Sequence, residues 1–387
     1  MIFYVFNLSL IILFFFYSKF KKSVTGSEKT NVSSFFIFSS LFMMSGFRYM
    51  VGTDFLAYKG YFESINRYSF ANPFYDKGYY LLNRFISFFT DNSQYVFLAT
   101  SFIIIYLVNK TLKDYSISYT LSIFLFVTLY FYNNSFNIVR QFIVVSLILY
   151  SIKYLVNKDF KGYLVLILIA SLFHDTALLM IPFYWILRMR FNKIVYLVLL
   201  AFTLGVSFFT TTIIGIVSKV LPSLNIYSNY YFEGSSANSI MLSTSLVFLF
   251  ALLNKAKLIK LDSNVIVYVN AVYFALLFSI LARENILFYR FSLYFYIFIL
   301  LLIPLCIRSM NKFLRVIMYM LIIPTMTAYY FYLLSNNNAG VLPYDYNLNI
   351  SFYNDRTLPI LLLVGAITLF LSILKNSRLF TIRTQKR

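Results

Sequence analysis

An arginine, a histidine and an aspartate stand inside stretches otherwise apolar enough to cross a bilayer. Arg140 sits in N-I-V-R-Q-F-I, and His174 with Asp175 in A-S-L-F-H-D-T-A-L-L-M-I-P-F. Charge at that depth costs from about 2.5 to more than 10 kcal/mol per group, so such side chains face a bundle interior or a wet cavity and mark sites. A guanidinium can give two parallel hydrogen bonds to phosphate oxygens. His174 is the single histidine of the chain, and an imidazole with an ordinary pKa of about 6.5 accepts a proton at neutral pH. Asp175, next in sequence, is its candidate partner. The expectation is a polar pocket opening to the non-cytoplasmic face.

Other charges join this set by position. Arg48, Arg283 and Arg290 lie, like Arg140, at the outer ends of apolar stretches, where they could hold a diphosphate or simply snorkel to lipid headgroups. Asp54 follows Gly52-Thr53 just past such a stretch. It reads as a turn cap, as a counter-ion to Arg48, or as a second proton acceptor. Glu284 beside Arg283 is most simply an ion pair. Cys306, the single cysteine, falls in an apolar run and reads as packing; alone it allows no intramolecular disulfide.

The elements that must position these groups follow from composition. Sixty per cent apolar residues and 12% charged do not describe a soluble domain, where charge runs at about 25%. Runs of about 15 to 24 apolar residues indicate helices rather than barrel strands, so the fold class is all-α, a polytopic membrane helical bundle forming a single transmembrane domain. Eleven spans are expected, at about 2–18, 33–50, 93–109, 117–133, 137–156, 194–217, 239–254, 264–282, 286–307, 313–334 and 358–374. Segment 162–187 lies between two basic clusters and must leave and return to the same face. Its two arms of about 13 residues reach roughly 20 Å each, short of a hydrocarbon core of about 30 Å. It is expected as a re-entrant or short helix pair with Phe173-His174-Asp175-Thr176 at the tip, giving about 13 helices in all.

Most of the 33 Lys and Arg residues fall in alternate loops, which the positive-inside rule assigns to the cytoplasm. That places the N-terminus outside and the C-terminus inside, and makes the formal charge of +20 a topology signal rather than a nucleic-acid surface. The first helix has its lysines after it rather than before it, so it is expected to stay as a span. The outer loops, 49–92, 218–238 and 335–357, are rich in aromatic and small polar residues able to stack on sugar faces and bond their hydroxyls. An interfacial helix is expected before the third span. There is no P-loop, dinucleotide glycine fingerprint, zinc-protease motif or cysteine cluster, and the short inner loops cannot fold a catalytic domain. Chemistry is therefore expected at the outer face or within the membrane, with no metal and no cofactor.

R-Y-M-V-G-T-D-F-L-A-Y from Arg48, D-K-G-Y-Y-L-L from Asp76, N-I-V-R-Q-F-I, the F-H-D-T-A box, Y-R-F-S-L-Y-F and L-P-Y ending at Tyr344 together resemble the EpsG family, relatives of the Wzy-type O-antigen and capsule polymerases. The family pattern commonly has Glu where this chain has Asp76. The resemblance implies a metal-independent glycosyltransferase of the bacterial plasma membrane, a repeat-unit polymerase for O-antigen, capsule or exopolysaccharide. It would move a growing glycan from undecaprenyl diphosphate to a second lipid-linked repeat unit at the extracytoplasmic side. On that reading Arg140 and Arg290, with Arg48 or Arg283, hold the donor diphosphate, and His174 or Asp54 accepts the acceptor proton. Tyr58, Asn137, Gln141, Asp175 and Tyr344 position the substrate. Partners would be the lipid-linked oligosaccharides, membrane lipids, a chain-length regulator and a flippase, with no nucleic acid. A single-step ligase or glycosyltransferase would use the same diphosphate logic. A flippase or transporter would need two related halves, and no internal repeat is present. A purely structural subunit leaves Arg140, His174 and Asp54 without a role.

Overall fold

In lipid each backbone N–H must find its partner within its own segment, which drives apolar runs into helices. The computed structural model describes residues 1–25, 31–67, 76–209, 212, 235–283 and 285–348. Among these residues it contains eighteen α-helices, short 3-10 turns and one two-stranded ladder. The helices, in chain order, are α1 (Ile2–Thr25), α2 (Asn31–Gly46), α3 (Phe55–Glu63), α4 (Lys77–Ser87), α5 (Gln94–Tyr115), α6 (Tyr119–Thr128), α7 (Phe131–Asn134), α8 (Val139–Tyr150) and α9 (Ile152–Val156). They continue with α10 (Phe160–Ser171), α11 (Phe183–Ile186), α12 (Lys193–Ser207), α13 (Ser235–Leu253), α14 (Lys255–Leu261), α15 (Val265–Leu281), α16 (Ile286–Tyr296), α17 (Ile299–Ser309) and α18 (Lys312–Ser335).

The expected spans from 2–18 to 313–334 fall on these helices, with the far end of 194–217 and the whole of 358–374 outside the described residues. Length separates them further. Four of the described helices are long and apolar enough to cross a membrane, and six if each of two bent pairs, α13 with α14 and α16 with α17, forms one span. This is a helical membrane protein, with fewer full-length crossings among the described residues than the eleven expected from hydropathy alone. Part of the difference lies in the residues that are not described, and part has a physical cause: some apolar runs belong to the interior of the bundle. All ten residues of α6 are buried, and a helix apolar on every side and buried on every side is core rather than lipid-facing. At about 1.5 Å per residue it is also only about 15 Å long. By contrast, only 6% of the apolar window of the 24-residue α18 is buried.

Segment 160–187 doubles back. Phe160 at its start packs on Tyr184 and Trp185 at its end, with ring centroids 5.1 and 4.6 Å apart, and the Tyr163 hydroxyl donates to the Met180 carbonyl at 2.7 Å. His174 sits where α10 has ended and a 3-10 turn, Asp175–Met180, begins, in extended backbone. The first loop, 49–92, is described apart from 68–75. It carries α3 and the amphipathic α4, which buries Gly78, Tyr79, Asn83 and Ile86. Loop 218–238 is described only from 235, and loop 335–357 only to 348.

The first and the last of these loops are joined. The strand β1 (Arg48–Tyr49) pairs antiparallel with β2 (Asp345–Tyr346), Arg48 opposite Tyr346 and Tyr49 opposite Asp345. Beside this ladder the Gly52 amide donates to the Gly340 carbonyl at 2.9 Å. Gly52 has φ +98°, and a Cβ there would fall 2.5 Å from Asn137 Oδ1. Glycine is needed both for the backbone and for the space.

Candidate functional site

The residues that could do chemistry separate into two groups. The first centres on Asp76, the residue before α4. Its Oδ2 accepts a hydrogen bond from Arg140 Nη1 at 2.7 Å and stands 3.9 Å from His174 Nδ1. Three distant parts of the chain meet here. Arg140 comes from the first turn of α8, His174 from the tip of the 160–187 hairpin, and Asp76 from the start of α4. The hairpin is locked to α4 by the Gly78 amide, which donates to the Leu172 carbonyl at 2.6 Å. A Cβ on Gly78 would lie 2.8 to 3.0 Å from Leu172 atoms, so the close approach of the two backbones depends on that glycine.

Exposure differs usefully among the three. The Arg140 side chain keeps 38% of its surface open, Asp76 11% and His174 16%. Arg140 can therefore reach a ligand while its carboxylate partner is held behind it. Tyr58, on α3, interacts with the Arg140 guanidinium through its hydroxyl, and Asp54 acts on it electrostatically. Burial raises the Tyr58 phenol above its ordinary value despite the opposing charge of Arg140. The phenol thus stays protonated and able to donate at neutral pH. Asp54 precedes α3, accepts from the Thr53 hydroxyl at 3.1 Å and makes no cap to the helix.

Asp76 had no role in the sequence reading beyond its place in the D-K-G-Y-Y motif. The carboxylate nearest His174 is this one, while Asp175 is exposed. The one available signal was the acid two residues before a glycine in D-K-G-Y-Y-L-L, where the residues after the glycine are all aromatic or aliphatic.

The second group centres on a sealed arginine. Arg48 is 1% exposed. Its Nη1 donates to the Ser45 carbonyl at 2.5 Å and the Ser101 hydroxyl at 3.2 Å, and its Nη2 to the Phe136 carbonyl at 3.4 Å. The rings of Phe97 and Phe136 each lie 4.9 Å from the guanidinium carbon. Asn137 Nδ2 donates to the Ala339 carbonyl at 2.8 Å, and the Tyr344 hydroxyl to the Met44 carbonyl at 2.8 Å. Gln141 lies between the groups, donating through Nε2 to the Arg290 carbonyl at 2.7 Å, which ties α16 to the helix of Arg140. Arg283, exposed beyond the end of α15, lines a largely apolar groove of about 540 Å³ with Leu197, Leu200, Leu249 and Leu276.

Residues 31–346 match the EpsG family. The chain belongs to the EpsG family. No curated protein and no solved structure matches it. EpsG membership and the apolar helices together support a membrane protein of polysaccharide synthesis. The family match covers α2 to β2, and with them Asp76, Arg140, His174 and Arg48.

Proposed function

We propose that this EpsG-family chain polymerises lipid-linked repeat units at the extracytoplasmic face of the bacterial plasma membrane, with Arg140, His174 and Asp76 at its centre. The observation that carries the reading is that the guanidinium and the imidazole, from different helical units, address one carboxylate oxygen. In the resting arrangement Asp76 is committed to Arg140. A donor diphosphate entering the site takes the exposed guanidinium, because two phosphate groups offer more charge than one carboxylate. Asp76 is then free to accept the Nδ1–H of His174, a closure of about 1 Å from the present 3.9 Å. Catalytic hydrogen bonds are commonly long before substrate binds.

The carboxylate fixes the tautomer that leaves Nε2 open, and Nε2 takes the hydroxyl proton of the acceptor sugar. The acceptor oxygen bonds to C1 of the growing glycan as the bond from C1 to the phosphate oxygen breaks. Undecaprenyl diphosphate leaves, its negative charge matched by Arg140. One displacement inverts the anomeric centre. Tyr58 donates to a phosphate or sugar oxygen, and Asp54 is the second candidate for proton acceptor. Arg290, on the helix bonded by Gln141, and Arg283 at its separate groove are the further cations for lipid-linked diphosphates. A chain-length regulator and a flippase are the expected partners.

The test is polymer length on a gel from cells whose own copy is replaced by Arg140→Ala or His174→Ala. Loss of the long ladder, with the protein still present in the membrane, is the expected result. Wild-type chain lengths in both variants would remove the proposed roles. A single added unit from the wild-type protein acting on lipid-linked repeat units in vesicles would identify a ligase instead of a polymerase.

A further inference from the structure

A second site lies at the opposite end of the helices. Helix α1 begins at the sealed junction, where the Tyr4 hydroxyl donates to the Val341 carbonyl at 2.9 Å, and its far end carries Lys19. Helix α18, 24 residues long, ends at that same junction and starts at Lys312; that is about 36 Å of helix. Between the far ends is a cavity of about 340 Å³ lined by Lys19, Ser118, Arg308, Lys312, Arg315 and Tyr319, with Ile117 and Pro304 as its apolar wall. Among the described residues four cations line it and no carboxylate does.

Basic residues gather at the cytoplasmic ends of membrane helices in any case, but these four are arranged, not merely collected. They come from α1, the end of α17 and the start of α18. Arg315 is anchored by Nη2, which donates to the Arg308 and Met310 carbonyls at 2.9 and 2.8 Å, while its Nε is buried with no hydrogen-bond partner among the described residues. Lys19 Nζ stands 3.4 Å from the Ser118 hydroxyl and 5.1 Å from the centre of the Tyr319 ring. Two cations are thus held in place, and Arg308 and Lys312 are exposed at the mouth.

The surface beside the mouth says what kind of molecule fits. Phe16 and Phe20 flank Lys19 on α1, and Phe313 and Met320 flank the cations of α18; these four are 58%, 70%, 73% and 69% exposed. In a membrane such a surface meets acyl chains. A phosphate group in the cavity would therefore have room for its tails directly alongside. We propose that this cavity is a built binding site for the phosphate headgroup of an anionic membrane phospholipid, separate from the Asp76 cluster and independent of the reaction there. A bound lipid would bridge α1, α17 and α18 at the end opposite the junction.

The full chain, purified in neutral detergent, is unfolded thermally in the presence of phosphatidylglycerol, phosphatidylcholine of the same chains, or inorganic phosphate. Saturating phosphatidylglycerol is expected to raise the midpoint by about 3 °C or more, as a ligand binding only the folded state does, and phosphatidylcholine is not. Arg308→Gln with Lys312→Gln, both exposed, should leave the lipid-free midpoint in place and weaken the lipid response at least about tenfold. Lys257→Gln with Lys260→Gln, exposed cations outside the cavity, should leave it unchanged. An undiminished response in the Arg308/Lys312 variant, or an equal response to phosphatidylcholine, overturns the site. Protection by inorganic phosphate equal to that by phosphatidylglycerol overturns the lipid as its source. Polymer synthesis is not the readout, so failure here leaves the Asp76 reading standing.

Discussion

Arg48 and Arg140 begin from the same position in sequence, each at the end of an apolar helix and each a candidate for a diphosphate. The protein treats them differently. Arg48 is sealed, its guanidinium divided among two carbonyls, two serine hydroxyls and two aromatic faces. Those partners are neutral and enclosed with it, and although the Arg48 Nε makes no hydrogen bond among the described residues, a ligand could reach it only by parting α2, α5 and the 136–138 turn. Arg140 has a carboxylate, a phenol and an open face. Its carboxylate has a second claimant in His174. A cation whose partner can be handed to another group is suited to chemistry, and one enclosed by backbone is suited to holding helices together. Depth in the membrane alone does not tell them apart.

The comparison is broken most directly by exchanging the outcomes of the two arginines. Arg140→Ala should reduce polymer by about a thousandfold or more, the scale for removing a charge that meets the leaving group, with membrane levels close to wild type. Arg140→Lys should remain strongly impaired, because an ammonium cannot reproduce a planar two-point grip. Next come His174→Ala and Asp76→Asn, each expected to lower the rate about a hundredfold or more, as for loss of a general base or its orienting partner. If Asp76 serves only to hold the fold, Asp76→Asn should lower the thermal midpoint as much as activity. An unchanged midpoint with lost polymer supports its place in the reaction.

Arg48→Ala should act through stability instead. It empties a large buried site and strands the Ser45 and Phe136 carbonyls, a loss of about 2–5 kcal/mol on the scale of large buried truncations. The measurement is the midpoint of unfolding and the yield of folded protein. Normal yield and midpoint with lost polymer would make Arg48 a functional cation after all. Gly52→Ala tests the same junction from the backbone side. With φ at +98° and a carboxamide oxygen 2.5 Å from the new Cβ, it should cost about 1–3 kcal/mol and be visible in the same unfolding assay.

How far the sequence foretold this depends on the kind of signal. Helices were legible because apolar runs are long and their period is clear, and Arg140 and His174 stood out because charge inside such runs is costly. Asp76 did not stand out, since an aspartate in an outer loop is ordinary and nothing local reveals that α8 and the hairpin converge on it. The burial of Arg48 was equally hidden: carbonyls and phenylalanine rings as partners leave no charged residue to notice. The expected span 117–133 is two helices, because the chain breaks at Tyr130 (φ +69°) between α6 and α7, and hydropathy marks neither that break nor whether an apolar run faces lipid or protein. The junction of loops 49–67 and 336–348 depends on two glycines and a two-residue ladder, too short to read from pattern.

The smallest expected effect is at Tyr344, which resemblance to the family assigns to substrate positioning and which here donates its hydroxyl to the Met44 carbonyl while its ring packs on Phe3 and Tyr4. Tyr344→Phe keeps the ring and removes one hydrogen bond, so it should lower stability by about 1 kcal/mol and leave chain length unchanged. Tyr58→Phe makes the matching change where the phenol meets the Arg140 guanidinium, and there the rate should fall while the midpoint holds. Because both variants delete the same atom from the same residue type, shared differences in expression or detergent behaviour cancel between them. A fall in chain length for Tyr344→Phe equal to that for Tyr58→Phe would merge the sealed junction with the open cluster into one substrate surface, and the distinction between the two arginines would have to be redrawn.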